Sequence, residues 1–214
     1  MPVNDPHSNA RLVTAGVPLD SARAAMIMIH GRGSTAENIL GLAAEFDQSA
    51  WAYLAPQAAN NTWYPHGFLQ PLERNEPHLS SALATLGRTV DQVSAAGVPA
   101  ERIVLLGFSQ GACLALEWAA RNARRFGGVV ALSGGVIGPE GTPRSYAGSL
   151  GGTPVFLGCS DIDAHIPVER FHESAAVFER LGAATTARLY PGMGHVINSD
   201  EIAFVQELLR GIGQ

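Results

Sequence analysis

The most informative part of this sequence is the nine-residue stretch Leu105-Leu106-Gly107-Phe108-Ser109-Gln110-Gly111-Ala112-Cys113. It places a Gly-x-Ser-x-Gly pattern between an apolar run that ends at Leu106 and an apolar stretch, 112–120, that is compatible with a helix. This context predicts a strand, a sharp turn at Ser109 and a helix. The two glycines let the backbone pass through a crowded bend, so the serine hydroxyl is presented as a nucleophile at the end of the strand.

Short apolar runs alternate with segments of helical periodicity along the chain. The runs predict six strands, at 24–30, 51–55, 103–106, 129–132, 155–157 and 185–189. Nearly continuous apolar strands that alternate with helices indicate an α/β fold with a mostly parallel sheet, covered by helices on both faces. No repeat or linker divides the chain, and the predicted elements use nearly all of it. We therefore expect one domain over residues 1–214, with no cap domain.

Two helix starts can be predicted from capping patterns. An apolar stripe with spacings of three and four residues runs from Leu79 to Val93, and Asn75 is its predicted N-cap. A weaker helical pattern follows Ser34, which is the predicted N-cap there, with Glu37 completing a capping box. Such stripes are typical of surfaces that face the core, and we assign them no function.

Composition excludes several classes of function. Of the 214 residues, 46% are hydrophobic and 15% charged, and the formal net charge of −5 offers no basic surface for nucleic acid. No apolar run is long enough to span a membrane, and the polar N-terminus does not resemble a signal peptide, so we expect a cytoplasmic protein.

The chain has no lysine, which excludes P-loop and Schiff-base chemistry. Cys113 and Cys159 are predicted to be buried free thiols.

Candidates for a general base and its supporting acid follow Ser109 in the chain. A serine hydroxyl attacks a carbonyl when a histidine removes its proton and a carboxylate orients that histidine. His195 lies in a glycine-flanked loop before the last predicted helix, and Asp161 and Asp163 follow the strand at 155–157. The spacing leaves the choice of acid open: one aspartate would orient His195, while the other would cap the next helix.

Two backbone N–H groups are predicted to form an oxyanion hole. One belongs to Gln110, the residue after the nucleophile. The other is expected in the loop after the first strand, where His30-Gly31-Arg32-Gly33 lets the chain turn its N–H groups inward, and Arg32 is the candidate.

Four blocks of this sequence resemble the phospholipase/carboxylesterase family, the small α/β-hydrolases that include the acyl-protein thioesterases. The blocks are His30-Gly31-Arg32-Gly33, Gly107-Phe108-Ser109-Gln110-Gly111, Asp161-Ile162-Asp163-Ala164-His165-Ile166-Pro167 and Gly192-Met193-Gly194-His195. The resemblance implies an α/β-hydrolase fold, with Asp163 as the acid and Arg32 and Gln110 as oxyanion donors. It also implies ester or thioester hydrolysis through an acyl-enzyme, without a cofactor.

The chain departs from the family pattern at three positions. Arg32 stands where a small or apolar residue is usual, Ser34 stands where aspartate is common, and Ala164 replaces a frequent proline. We expect the Arg32 side chain to pair with a nearby acid such as Glu73 or Asp161; attraction of an anionic substrate group is the alternative.

Substrate contacts are predicted from the loop at 56–71, which follows a strand and is rich in aromatic residues. Trp63, Tyr64 and Phe68 are candidates for an aromatic wall over the nucleophile, or for anchors of the loop itself. Ile166 and Met193, next to the predicted acid and base, complete the candidate substrate-binding set.

These observations predict a serine carboxylesterase that hydrolyses short-chain or aryl esters with Ser109, His195 and Asp163. One alternative is an acyl-protein thioesterase or lysophospholipase, and another is a ligand-binding protein that keeps the fold without turnover. We expect a small-molecule ester as the partner, and neither a cofactor nor a metal. The sequence leaves the oligomeric state open, a homodimer included.

Overall fold

A computed structural model describes residues 5–46 and 49–212, which contain seven strands and five α-helices. The strands are β1 (Leu12–Gly16), β2 (Ala24–Ile29), β3 (Trp51–Pro56), β4 (Ile103–Phe108), β5 (Gly128–Leu132), β6 (Pro154–Ser160) and β7 (Ala184–Tyr190). The helices are α1 (Ala36–Leu40), α2 (His78–Ala95), α3 (Gln110–Arg121), α4 (Val168–Arg180) and α5 (Ser199–Ile212). Short 3-10 turns connect several of these elements.

The strands form one sheet in the order β1-β3-β2-β4-β5-β6-β7. β1 is antiparallel to β3, and the remaining neighbours are parallel, so the predicted mostly parallel sheet is confirmed. The strand before the candidate nucleophile, β4, lies at the centre, between β2 and β5. Loops after parallel strands meet at the same edge of a sheet, and at this central position they surround Ser109.

All six predicted strands are present, and the sequence analysis missed only β1 among the strands of the described residues. β1 is an edge strand whose residues are half-buried or exposed, whereas every residue of β2 is buried. An edge strand hydrogen-bonds on one side only and needs no continuous apolar run, so it lacks the signal that marks the central strands.

Both predicted helix starts need correction. Thr35, rather than Ser34, caps α1, because its side chain accepts a hydrogen bond from the N–H of Asn38. Asn75 does not cap α2: it is buried at the end of a 3-10 turn, where its amide bonds the backbone of the loop at 66–67. α2 begins after Pro77.

Helices cover both faces of the sheet. α2, α3 and α4 pack on one face, and α1 and α5 pack on the other. α3 is the most enclosed helix, with every residue buried except Arg121, because it lies between the central strands and α2. The rigid centre of the fold therefore supports the turn that carries Ser109. No helix in the described ranges is both long and apolar enough to cross a membrane.

Candidate active site

Ser109 occupies a strained turn between β4 and α3. Its φ of 55° and ψ of −119° lie in a region that residues with a side chain rarely adopt. A Cβ on Gly107 would lie 2.3 Å from the carbonyl oxygen of Gly111, and a Cβ on Gly111 would lie 2.1 Å from that of Ile29. Close backbone approach therefore requires glycine at both positions of the motif.

Replacing Gly111 with alanine should destabilise the protein severely, because the added methyl group meets the backbone of β2. We expect a loss of about 4 kcal/mol in the free energy of unfolding and a fall in Tm of about 10 °C. Thermal and urea unfolding would measure it. Gly41→Ala is the matched control, since Gly41 has helical φ and ψ and no atom within 4 Å of an added Cβ. Equal stability of the two variants would contradict the packing argument.

Three side chains from different loops form one hydrogen-bonded chain. His195 Nε2 lies 2.9 Å from Ser109 Oγ, and His195 Nδ1 lies 2.7 Å from Asp163 Oδ2. The imidazole is partly exposed, with 21% of its side-chain surface accessible, whereas the Asp163 side chain is fully buried. The structure thus brings together the three residues that the sequence analysis selected.

Several groups hold Asp163 as a carboxylate. Burial alone would raise its pKa, but hydrogen bonds from His195 and from the backbone N–H groups of His165 and Ile166 outweigh burial, so the pKa lies below its usual value. The Cys159 thiol also donates to Asp163 Oδ2, at 3.7 Å. Burial, together with the charge of Asp163, raises the pKa of Cys159 to about 12, which keeps this thiol a neutral donor.

Asp161 and Ser160 join the loop that carries Asp163 to the loop that carries His195. Asp161 Oδ1 accepts from Gly192 N–H at 2.8 Å, so this aspartate neither contacts His195 nor caps α4. Ser160 is buried, and its Oγ accepts from the N–H groups of Gly194 and Ile162. The sequence analysis did not identify the role of Ser160, because a serine at the end of a strand carries no distinctive signal.

A capping box at the start of α5 fixes the other end of the histidine loop. Asn198 Oδ1 accepts from Glu201 N–H, and Glu201 Oε2 accepts from Asn198 N–H, both at 2.9 Å. Asn198 Nδ2 also donates to Met193 Sδ, which draws Met193 toward the helix cap. Glu201 is fully buried against Gly158, and its Oε1 has no partner among the described residues. Burial raises the pKa of Glu201 to about 7.

Glu201 should make the protein less stable at alkaline pH. Because its pKa is raised from 4.5 to about 7 on folding, its stabilising contribution is complete below pH 4.5 and is lost as the pH rises through 7. As the pH rises from about 5 to about 8, the free energy of unfolding of Glu201→Gln should increase by about 3 kcal/mol relative to that of the wild type. Urea unfolding at both pH values tests this. Glu207→Gln, an exposed position on the same helix, is the control; parallel stability curves for wild type and Glu201→Gln would refute the effect.

The two predicted oxyanion donors flank Ser109. Gln110 is the first residue of α3, where a backbone N–H has no partner within the helix. On the other side, a Cβ placed on Gly31 would lie 3.4 Å from Ser109 Cβ, so the backbone that leads into Arg32 runs close to Ser109. The buried side chain of His30 holds this loop in place. Its Nδ1 donates to Gly31 O, and its Nε2 accepts from Ala58 N–H. Burial lowers the pKa of His30, in keeping with this neutral form.

The side chains of Gln110 and Arg32 both bind the aromatic loop. Gln110 Oε1 accepts from Trp63 N–H, and Gln110 Nε2 donates to Tyr64 O. The Arg32 guanidinium donates to the carbonyl oxygens of Tyr64, Pro65 and His66, at 2.7–2.9 Å. The expected pairing of Arg32 with Glu73 or Asp161 is therefore wrong. The loop carbonyls converge on one point, and the guanidinium satisfies three of them at once.

A cleft of about 470 Å³ opens above Ser109. Three of the candidate substrate-binding residues line it: Tyr64, Phe68 and Ile166. The other two lie elsewhere. Trp63 is buried, with its indole N–H bonded to His30 O, and Met193 faces the α5 cap. The lining also includes residues that the sequence analysis did not propose for substrate binding, among them Phe108, Cys113 and His165.

The described residues contain no group of three or more histidine, cysteine, aspartate or glutamate side chains arranged to hold a metal ion. Asp163 is engaged by His195, and Asp161 by the backbone of Gly192, so neither carboxylate is free for a ligand set with His165.

Comparison with known proteins agrees with this geometry. The family model of phospholipase/carboxylesterase matches residues 14–212, which is nearly the whole chain. The chain belongs to the phospholipase/carboxylesterase family. It is a hydrolase with the α/β-hydrolase fold, as the four sequence blocks predicted.

Relatives within this family include proteins of both expected activities. A solved phospholipase/carboxylesterase from Dyadobacter fermentans is 45% identical, with a TM-score of 0.91 over 95% of this chain and 97% of that chain. Acyl-protein thioesterase 1 of Candida albicans is 26% identical over 90% of this chain and 93% of its own length. The solved esterase PE8 shares the fold, at 23% identity and a TM-score of 0.77 over 95% and 99% of the two chains.

Each departure from the family pattern has a definite place in this phospholipase/carboxylesterase. Arg32 binds loop carbonyls, as described above. Ser34 Oγ donates to Asn38 Oδ1 at 3.0 Å, and both residues line the cleft. Ala164 is exposed in the loop that carries Asp163. Two of the substituted positions, Arg32 and Ser34, therefore change the lining of the cleft, and all three leave the Ser109–His195–Asp163 chain intact.

Proposed function

We propose that the protein is a serine carboxylesterase that hydrolyses short-chain or aryl carboxylic esters through an acyl-enzyme. The observation that carries this proposal is the continuous hydrogen-bonded chain from Ser109 Oγ through His195 to Asp163, open to a cleft. A hydroxyl that bonds an imidazole, which in turn bonds a buried carboxylate, is the arrangement that activates a serine for acyl transfer.

The first half of the reaction acylates Ser109. Its Oγ attacks the ester carbonyl carbon as His195 Nε2 takes the hydroxyl proton, and Asp163 stabilises the imidazolium that forms. The N–H groups of Gln110 and Arg32 bind the oxygen on which negative charge develops. His195 then gives its proton to the alcohol oxygen, the bond between the carbonyl carbon and that oxygen breaks, and the alcohol leaves.

The second half uses the same groups with water. His195 takes a proton from a water molecule, the resulting nucleophile attacks the acyl carbon, and the proton returns to Ser109 Oγ as the acid is released. Asp163 supports this cycle because its carboxylate accepts from His195 Nδ1–H and thus leaves Nε2 unprotonated toward Ser109. The lowered pKa of Asp163 keeps that carboxylate ionised at neutral pH.

The shape of the cleft favours compact substrates. It is wide, and its lining combines apolar side chains such as Phe68, Phe108 and Ile166 with backbone of the Gly31 loop. A cleft of about 470 Å³ holds a small acyl group together with an aryl alcohol but not a long chain in full. A short acyl chain on an activated phenol is therefore the substrate class that we expect.

Hydrolysis of acylated proteins is a second candidate, favoured by one observation. Two large hydrophobic residues are exposed, Ile162 with 65% and Val196 with 51% of its surface accessible. Each is next in sequence to Asp163 or His195. Apolar side chains on the rim of a site are typical of contact with a large partner. Measuring kcat/KM for nitrophenyl esters and for acyl thioesters with acyl chains of about two to sixteen carbons would separate the two candidates. A maximum at long-chain thioesters would favour hydrolysis of acylated proteins.

Turnover of p-nitrophenyl butyrate, combined with labelling by a fluorophosphonate, tests the proposal itself. We expect a steady rate and a covalent adduct on Ser109, detected as a mass increase. Labelling without turnover of any ester would instead indicate an activated serine with a different substrate. A protein that does neither is the non-catalytic ligand-binding alternative.

A further inference from the structure

We propose that the protein prefers esters whose alcohol part carries a negative charge, such as a carboxylate, and that the Arg32 guanidinium selects them. This inference rests on the proposed function, since it concerns which esters react at Ser109.

Arg32 is the only residue with a permanent charge among the described residues that line the cleft. No aspartate or glutamate belongs to that lining. Asp163 lies behind His195 with a fully buried side chain and is already bonded. The protein as a whole carries a formal charge of −5, which repels anions. Arg32 therefore places a positive charge at the cleft of a protein whose net charge is negative.

Arg32 has no acidic partner within the described ranges. None of the ion pairs there includes it, whereas Arg144 and Arg170 both pair with Glu173. The three partners of the guanidinium are neutral carbonyl oxygens, which fix its position without cancelling its charge. The cation is thus held in place before any substrate binds, and it retains its attraction for an anion.

The residues that line the cleft differ in exposure. Arg32, Ser34 and Asn38 are exposed or half-buried, whereas Cys113 and Ile166 are buried. The acyl group stays attached to the serine after the alcohol has left, so the buried apolar residues suit the acyl chain. The exposed residues, Arg32 among them, suit the alcohol part, which must depart into solvent.

A pair of esters that differ in one charge tests the proposal. We would measure kcat/KM for 4-carboxyphenyl butyrate and for its neutral match, 4-(methoxycarbonyl)phenyl butyrate, at neutral pH. The ratio of kcat/KM for the anionic ester to kcat/KM for the neutral ester should be about tenfold higher in the wild type than in Arg32→Met. The ratio for the wild type should fall as salt is added. Arg32→Lys should keep most of the preference, since it retains the charge while losing the fixed geometry for three carbonyls.

The ratio separates charge selection from loop support. If Arg32 serves only to hold the loop at 64–66, Arg32→Met will slow both esters equally and leave the ratio unchanged, which would overturn the proposal. Arg74→Met is the matched control, because Arg74 is exposed, lies outside the cleft lining, and its guanidinium bonds the side chain of Gln70; it should leave both rates as they are. Failure of the wild type on the neutral ester would count against the proposed function instead.

Discussion

Replacing Ser109 with alanine should abolish ester hydrolysis, with a loss of at least ~10³ in kcat/KM for p-nitrophenyl butyrate. The substitution removes the Oγ that lies 2.9 Å from His195 Nε2, which is the atom that we propose forms the acyl-enzyme. It leaves the Cβ in place, so the strained backbone at φ 55° already accommodates an alanine. The fold should persist, with Tm close to that of the wild type, while fluorophosphonate labelling disappears.

Ser133→Ala is the matched control for this experiment. Ser133 directly follows the neighbouring strand β5 and has a similar φ of 53°, and its buried Oγ has no hydrogen-bond partner among the described residues. The same substitution at a similar φ should leave activity within about threefold. Comparable activity of Ser109→Ala and the wild type would rule out Ser109 as the nucleophile.

Asp163→Asn should lower kcat/KM by about 10³–10⁴, because it changes which nitrogen of His195 carries the proton. Asp163 Oδ2 accepts from Nδ1–H, at 2.7 Å; an amide N–H placed there would favour the tautomer with Nε2 protonated, which cannot accept the proton of Ser109. The backbone N–H groups of His165 and Ile166 can still donate to the remaining amide oxygen, so the loop should stay folded.

Asp161→Asn is the control for Asp163→Asn, two residues away in the same loop. Asp161 accepts a single bond from Gly192 N–H, and an asparagine oxygen can accept it equally well. We expect a loss of less than about fivefold for this variant. A larger loss for Asp161→Asn than for Asp163→Asn would show that the acid has been assigned to the wrong aspartate.

Residues outside the hydrogen-bonded chain of Ser109, His195 and Asp163 shape its surroundings, as Arg32 and Glu201 show. Arg32 fixes the loop that forms one wall of the cleft, and Glu201 sits in the capping box that ends the histidine loop. Their substitutions should therefore have distinct signatures. Arg32→Met should change selectivity between charged and neutral esters, and Glu201→Gln should change the pH dependence of unfolding.

The local sequence by itself determined the central strands, the turn at Ser109 and the order of nucleophile, acid and base. These follow from short-range physics: continuous apolar runs mark strands buried on both faces, and two glycines mark a backbone too crowded for a Cβ. The exposed edge strand β1 and the N-caps of α1 and α2 were misjudged or missed, because their signals are weak and tertiary contacts decide them.

Spacing along the chain did not separate Asp161 from Asp163. The family resemblance implied Asp163, and only the tertiary structure showed its contact with His195 and gave Arg32 its partners. Ser109 and His195 are 86 residues apart in the chain, and Arg32 and His66 are 34 apart, so no local spacing encodes their distances. Those distances follow from the strand order, which brings the loops after β2, β3, β4, β6 and β7 to one edge of the sheet. A pattern identifies the residue types available for chemistry, whereas the direction in which each side chain points depends on which backbone groups of other loops lie within hydrogen-bonding distance.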